Sequence, residues 1–496
     1  MQAMAEALTA APFHPLPGGS PLCVVVPGFL SPAECRRQIA LSEARGFAGA
    51  GTDYPPSYRD NDRQVLDDPA FARDMFARLA PHAPATLARD DGTWALDAVN
   101  ERFRFCRYRP GQQFRLHQDG VHHRDEGLQS CLTFMVYLTD GDDFAGGDTL
   151  FHSAGPGGDP RITGRVRPRA GSLILFDHAL WHAGEAVTAG VKHILRSDVL
   201  YRRAPRVDVP AGPFHPAHRG YVWTMERLTP DLLASGGRDA TIRLWTEAGE
   251  ARGQLNGHTR SVLGLASLPD GRLASVSRDR TLRIWSVPQR RCTREVIAHD
   301  AAALAVCALP GGRLATAGAD GAVKLWRDDG EPLGTLGLHG GWAWALAPLG
   351  DDRLASASED GLVKVWDLSS GRCLQTLPGD APLRALTASP DGQQLSTGDL
   401  HGRIATWQRD GDAWRAQRAW PAHTAAVRRL RHAGGVLAST GEDNALRLWR
   451  DTDGALQAGS RHDNFVTDAL DVRAGWLGCS YDGRMLCHAL DTGPTP

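Results

Sequence analysis

Several features are missing from this 496-residue sequence, and each absence removes a class of protein. No stretch of about 18 apolar residues occurs, so a transmembrane helix and a membrane partner are not expected. The amino terminus has no basic n-region. Its first compact apolar run, Leu22 to Val26, is broken by Pro27-Gly28, which does not read as a secretory signal. Nine cysteines are scattered without a Cys-x-x-Cys pair, and strand geometry accounts for the near pair Cys479 and Cys487 as well as a disulfide would. A reducing cytoplasm is the expected compartment. Charge excess is also missing. The 55 basic and 57 acidic residues leave a net charge of −2, no footprint for nucleic acid or an anionic membrane. Pairs such as Arg202-Arg203 and Arg428-Arg429 read as solvated faces. Aromatics are scarce at 7%, with only 7 tyrosines, yet there are 14 tryptophans, and the excess is positional.

At this length two or more domains are expected, and a 42% hydrophobic content provides ample core material. Tryptophans stand at Trp245, Trp285, Trp326, Trp366, Trp407 and Trp449, spaced by 40, 41, 40, 41 and 42 residues, with His488 in a seventh slot 39 further on. Six residues before each slot stand Asp239, Asp279, Asp320, Asp360, His401, Asp443 and Asp482. At 26 or 27 before it stand His218, His258, His299, His339, Asp380, His423 and His462. A period near 40 with four short strands indicates propeller blades. The pattern resembles the WD-repeat family over roughly residues 210–491, and implies seven blades. In that family the loop His, the turn Asp, a strand hydroxyl and the Trp form a buried hydrogen-bonded chain. The hydroxyl slot here holds Ser235, Ser275, Thr316, Ser356, Thr397 and Ser439. The fifth unit exchanges its pair, Asp380 for His and His401 for Asp, which leaves complementarity intact if the two meet. Recurrence in phase makes these residues structural rather than catalytic. The last unit ends after its third strand, so closure calls for an outer strand around Val209 to Phe214.

Residues 21–203 read differently. Ser31-Pro32-Ala33-Glu34 is a capping box that opens a helix towards Gly46, and a second helix is expected from Pro69 to Leu79. Strands follow at Phe103 to Tyr108, Ser130 to Thr139, Gly171 to Asp177 and Lys192 to Tyr201, which suggests an α+β domain with a jelly-roll core, a double-stranded β-helix. Within it lies His117-Gln118-Asp119. Residues two apart on a strand face the same way, so imidazole and carboxylate can share one metal. His182 follows 65 residues later, with Lys192 ten residues beyond it. Two histidines and one carboxylate on one face leave open positions on non-haem Fe(II). His178 is a rival third ligand, but Thr188 rather than a base lies ten residues past it. His122 and His123 are expected in a loop over the site.

The succession Tyr108-x-x-Gly111-x-x-Phe114-x-x-His117-x-Asp119, Tyr137-Leu138-Thr139-Asp140, Gly146-Gly147-Asp148-Thr149-x-Phe151, Pro168-x-x-Gly171-Ser172-x-x-x-Phe176 and His182-x-Gly184-x-x-Val187-x-x-Gly190-x-Lys192 resembles the prolyl-hydroxylase-type, Fe(II)- and 2-oxoglutarate-dependent oxygenases over residues 100–203. The resemblance implies that His117, Asp119 and His182 hold iron and that Lys192 pairs with the distal carboxylate of 2-oxoglutarate, with Arg196 on the same strand face as the fallback partner. It places Tyr137 and Thr149 near that carboxylate and Tyr108 near the metal-bound end. It further implies O₂ as co-substrate, ascorbate as a reductant and hydroxylation of a C–H bond with release of succinate and CO₂. A peptidyl, prolyl-like substrate follows from the resemblance, with the propeller recruiting a protein partner or client. A small-molecule hydroxylase with a scaffold propeller and a non-enzymatic interaction protein with an inactive oxygenase domain are the alternatives. The expected organisation is a flexible tail over 1–20, an oxygenase domain over 21–203, a linker and closing strand over 204–216, and a propeller over 217–493.

Overall fold

The computed structural model describes residues 21–49, 59–89, 92–125, 127–156, 159–203, 213–215, 217–350, 352–462 and 464–488, together with Leu16 and Pro55. The described residues form two compact units, one drawn from residues 1–154 and 160–207 and the other from 155–159 and 208–496. The expected tail over 1–20 and the linker over 204–216 lie outside the described residues, apart from Leu16 and Pro213 to His215.

The first unit contains β1 (Cys23–Val26), α1 (Pro32–Arg45), β2 (Ala48–Gly49), β3 (Asp62–Asp67), α2 (Pro69–Leu79), β4 (Thr86–Arg89), β5 (Gly92–Val99), β6 (Arg102–Tyr108), β7 (Phe114–His117) and β8 (His123–Asp125). It continues with β9 (Leu128–Tyr137), β10 (Phe144–Gly146), β11 (Thr149–His152), β12 (Ile162–Val166), β13 (Leu173–Asp177), β14 (Trp181–Gly184), β15 (Val187–Gly190) and β16 (Lys192–Arg203). Both expected helices form where their caps place them. The Ser31 backbone N–H donates to Glu34 Oε2 at 2.7 Å, and Ser31 Oγ accepts from the Glu34 N–H at 3.3 Å. Asp68 caps α2 through the N–H groups of Ala70 and Phe71. Proline follows each cap, where its missing N–H costs nothing.

A large sheet runs β1-β13-β9-β16-β6-β3-β2, with β5 and β8 on β16 and β9 and with β4 on β5. A smaller sheet runs β12-β11-β14-β7, and β10 pairs with β15. Strand alternation sends alternate side chains of the large sheet to two different cores. Phe103, Phe105, Phe134, Val136 and Leu195 pack under the helices with Met75 and Leu79. On the other face Cys106, Tyr108, Met135, Tyr137 and Ile194 meet Phe114, Phe151 and Val166 of the smaller sheet. The chemistry-bearing residues lie in this second layer.

Among the described residues the second unit forms a succession of seven antiparallel sheets. Six have four strands, over residues 222–255, 262–297, 303–338, 343–378, 383–421 and 427–461, and the last, over 466–488, has three among the described residues. The first strand of each sheet neighbours that of the next, and the seventh returns to the first. There the Met225 N–H donates to Asp468 Oδ2 at 2.9 Å, and Thr467 Oγ1 donates to the Val222 carbonyl at 2.5 Å. These first strands line a cavity of 330 Å³ that contains Glu226, Arg429 and Arg431. Most of the expected closing strand lies outside the described residues. Its described end, Pro213 and Phe214, forms no strand: the Phe214 N–H donates to the Gly249 carbonyl at 2.7 Å and its ring packs edge-on against Trp245.

The repeated polar chain is complete in five units. In the second, His258 Nδ1 meets Asp279 at 2.8 Å, its Nε2 meets Ser275 Oγ at 2.7 Å, and Trp285 Nε1 donates to the same Ser275 at 2.8 Å. The first, third, fourth and sixth units repeat this through Ser235, Thr316, Ser356 and Ser439. The expected exchange in the fifth unit does not occur. Asp380 and His401 are both exposed, and Asp380 faces Arg403 at 3.8 Å instead. Asp399 organises that turn by accepting from the N–H groups of His401 and Arg403, so the pair has no buried position to fill. In the seventh unit Gly478 occupies the hydroxyl slot, and His488 Nε2 closes directly on His462 Nε2 at 3.0 Å.

Candidate active site

Register brings the first two site residues together. β7 and β14 are antiparallel neighbours, and His117 lies directly across from His182, with ring centroids 4.2 Å apart. Asp119, two residues past the end of β7, turns its carboxylate to both rings: Oδ1 is 3.5 Å from His117 Nε2 and Oδ2 is 3.6 Å from His182 Nε2. All three side chains are buried, and one ligand atom from each lies within 4.8 Å of the other two. No other group of three such residues qualifies as a metal site among the described residues. His178, the rival ligand, is buried in the turn after β13 but does not join the cluster.

The surroundings orient each donor. His117 Nδ1 lies 2.7 Å from the Arg115 carbonyl and His182 Nδ1 lies 3.0 Å from the Leu180 carbonyl, which places the proton on Nδ1 and turns each Nε2 lone pair towards the centre. Phe114 stacks on His117 at 3.7 Å, and Phe176 meets His182 edge-on at 4.6 Å. Burial lowers both imidazole pKa values, that of His182 to about 3, so both rings are neutral at pH 7. Burial alone would raise Asp119, but Arg196 and the two histidines outweigh it and hold the carboxyl well below its usual range. The result is two neutral imidazoles and one carboxylate, a donor set suited to a divalent transition metal.

Lys192 opens β16 on the same interior face. Its ammonium is buried and donates to the Gly147 carbonyl at 2.5 Å, with the rings of Tyr108 and Tyr137 each 5.6 Å away. Among the described residues no carboxylate forms an ion pair with it. Asp148, the carboxylate with the largest electrostatic effect on it, is bound to Arg165 at 2.7 Å and Arg167 at 3.0 Å. Burial lowers the Lys192 pKa to about 8. A buried cation held only by a carbonyl is stabilised by any anion that enters. Tyr137 Oη donates to Thr149 Oγ1 at 2.7 Å, and Tyr108 pairs across from Lys192, so these four residues converge.

Arg196 sits elsewhere. Its Nη2 is ion-paired with Asp119 Oδ1 rather than gathered with Lys192. One participant escaped the sequence reading: Thr133 Oγ1 donates to Asp119 Oδ2 at 2.5 Å. The available signal was a hydroxyl set between the apolar Leu132 and Phe134 in β9. The side chain of His123 is outside the described residues, and His122 is half-buried, its N–H donating to Ser130 Oγ at 2.7 Å.

Comparison with known families agrees with this geometry. Residues 103–197, from β6 into β16, match the family model of the 2OG-Fe(II) oxygenase superfamily. Residues 214–246, 249–286, 290–327, 330–367 and 371–408 match that of the WD domain, G-beta repeat. No curated protein matches the chain. A domain match to that superfamily implies Fe(II), 2-oxoglutarate and O₂, and WD repeats imply a propeller and generally mediate contacts between proteins. The chain therefore carries, in one polypeptide, a 2OG-Fe(II) oxygenase domain and a set of WD repeats.

Proposed function

We propose that the protein hydroxylates a C–H bond of a peptidyl, prolyl-like substrate that its propeller recruits. In this reading residues 21–203 are a jelly-roll oxygenase and residues 217–493 a seven-bladed propeller, with the protein acting in the cytoplasm and ascorbate keeping its metal reduced. The observation that carries the reading is the pairing of a His117, Asp119 and His182 donor set with the buried, anion-seeking Lys192 on one interior face. Two facing sheets around that interior support the jelly-roll assignment, and the cyclic succession of seven sheets supports the blade count.

His117, Asp119 and His182 would hold Fe(II), which when bound would activate O₂, the oxidant for both the oxidative decarboxylation of the keto acid and the hydroxylation of the substrate. The protein's own residues do the rest. Lys192 neutralises the distal carboxylate of 2-oxoglutarate in a setting where an unpaired carboxylate would be costly. The Tyr137 and Thr149 hydroxyls would hydrogen-bond the same group, and Tyr108 lies beside Lys192. Phe114, Phe151 and Phe176 exclude water beside the histidines. WD repeats act through protein contacts in general, which favours a protein client over a small molecule.

The test is direct. Full-length protein with Fe(II) and 2-oxoglutarate should release succinate, and His117→Ala should abolish it. Proteins bound to the chain should then show prolyl residues that have gained one oxygen atom only when both co-substrates are supplied. Succinate release that persists in His117→Ala would sink the oxygenase assignment. Turnover that leaves every bound protein unmodified would sink the peptidyl one.

A further inference from the structure

Lys192 and Arg196 are two cations on one face of β16, and the structure separates their roles. At ~3.3 Å of rise per residue, four residues of strand set them roughly 13 Å apart. Lys192 lies among Tyr108, Tyr137 and Thr149. Arg196 lies on Asp119, with side chains 12% and 7% exposed, so this ion pair is sealed from solvent. Thr133 holds the other oxygen of the same carboxylate at 2.5 Å. Asp119 is thus gripped from two sides, by a β16 residue and a β9 residue whose strands are hydrogen-bonded neighbours. A guanidinium keeps its charge in proteins, so the grip is permanently cationic.

We infer that Arg196, with Thr133, is a positioning residue that fixes Asp119 for metal binding, and that Lys192 alone anchors the distal carboxylate of 2-oxoglutarate. The inference rests on the oxygenase reading above and divides the labour within it. A planar guanidinium suits the first task because it fixes the direction of a carboxylate as well as neutralising it. A flexible ammonium suits the second, since it needs only to reach a charge at the far end of a bound acid.

The experiment uses Mn(II), and on the Mn(II)-loaded full-length protein two probes, 2-oxoglutarate and 2-oxopentanoate. The second has the same keto-acid end and carbon count, but a methyl group replaces the distal carboxylate. Arg196→Met should weaken Mn(II) binding about 10- to 100-fold, the usual effect of losing a group that orients a metal ligand. It should leave the preference for 2-oxoglutarate over 2-oxopentanoate unchanged. Lys192→Met should bind Mn(II) as the wild type does and lose that preference. Arg196→Lys, which keeps the charge and loses the planar fork, should fall between Arg196→Met and wild type in Mn(II) affinity, and it carries the test if Arg196→Met does not fold. If the arginine variants erase the preference and bind Mn(II) normally, the roles are reversed and the inference is overturned. Wild-type protein that binds neither Mn(II) nor 2-oxoglutarate would overturn the oxygenase reading itself, a separate outcome.

Discussion

Both units bury histidines beside aspartates, and the two kinds of site differ in what completes them. In the WD repeats His258 spends one ring nitrogen on Asp279 and the other on Ser275, which also receives Trp285, so each polar atom of the set has a partner within 2.8 Å. In the oxygenase unit one nitrogen of His117 and of His182 is spent on a backbone carbonyl, and the other faces Asp119 at 3.5 or 3.6 Å, longer than a hydrogen bond. The same residue types thus make a closed network in one place and a convergent set of donors in the other. Buried polar groups are stable when saturated, and a site that binds must leave something for its ligand to complete.

The sharpest way to break that contrast is to remove its shared element from the open site. Asp119→Ala should take succinate release below detection and abolish Mn(II) binding, and retention of either would show that the convergence is not a metal centre. Removing the shared hydroxyl of a closed site should instead cost stability. Ser275→Ala strands His258 and Trp285 together, and a loss of about 1–3 kcal/mol is expected in denaturant unfolding. Its rate of succinate release should match wild type. The fifth repeat supplies the control, because Trp407 Nε1 has no hydrogen-bond partner and Thr397 Oγ1 donates only to the Ala405 carbonyl at 3.3 Å. Thr397→Ala should cost well under ~1 kcal/mol, and an effect as large as that of Ser275→Ala would mean that the saturated network is not what stabilises a blade.

Acid should produce the mildest effect. Burial pushes the carboxyls of Asp320 and Asp360 up, but His299, His339 and neighbouring N–H groups outweigh it and lower both to about 2. A folded-state pKa below the unfolded value near 3.8 adds stability at higher pH, and this is lost as pH falls through about 2. Tryptophan fluorescence should therefore report easier unfolding of the repeats between pH 4 and pH 2. A flat response across that range would remove these aspartates from the stability argument.

The fifth and seventh repeats mark the limit of reading by phase. Position alone placed Asp380 and His401 in register with the others, but whether two side chains meet depends on a turn that Asp399 has already organised. In the seventh, the absence of a hydroxyl at Gly478 is legible, whereas the direct contact of His488 with His462 is not. The helices over Pro32–Arg45 and Pro69–Leu79 were legible because capping is a local matter settled within four residues.

Alone, the order of residues determined the period of the repeats and the caps, since each depends on spacing along the chain, and its resemblance to a known family pointed to His117, Asp119, His182 and Lys192. Folding decided which partner each cation takes. Lys192 and Arg196 are equivalent on a strand face, and only the neighbouring strands, with Gly147 beside one and Asp119 and Thr133 beside the other, give them different work. That choice belongs to contacts across the sheets, which no local pattern encodes.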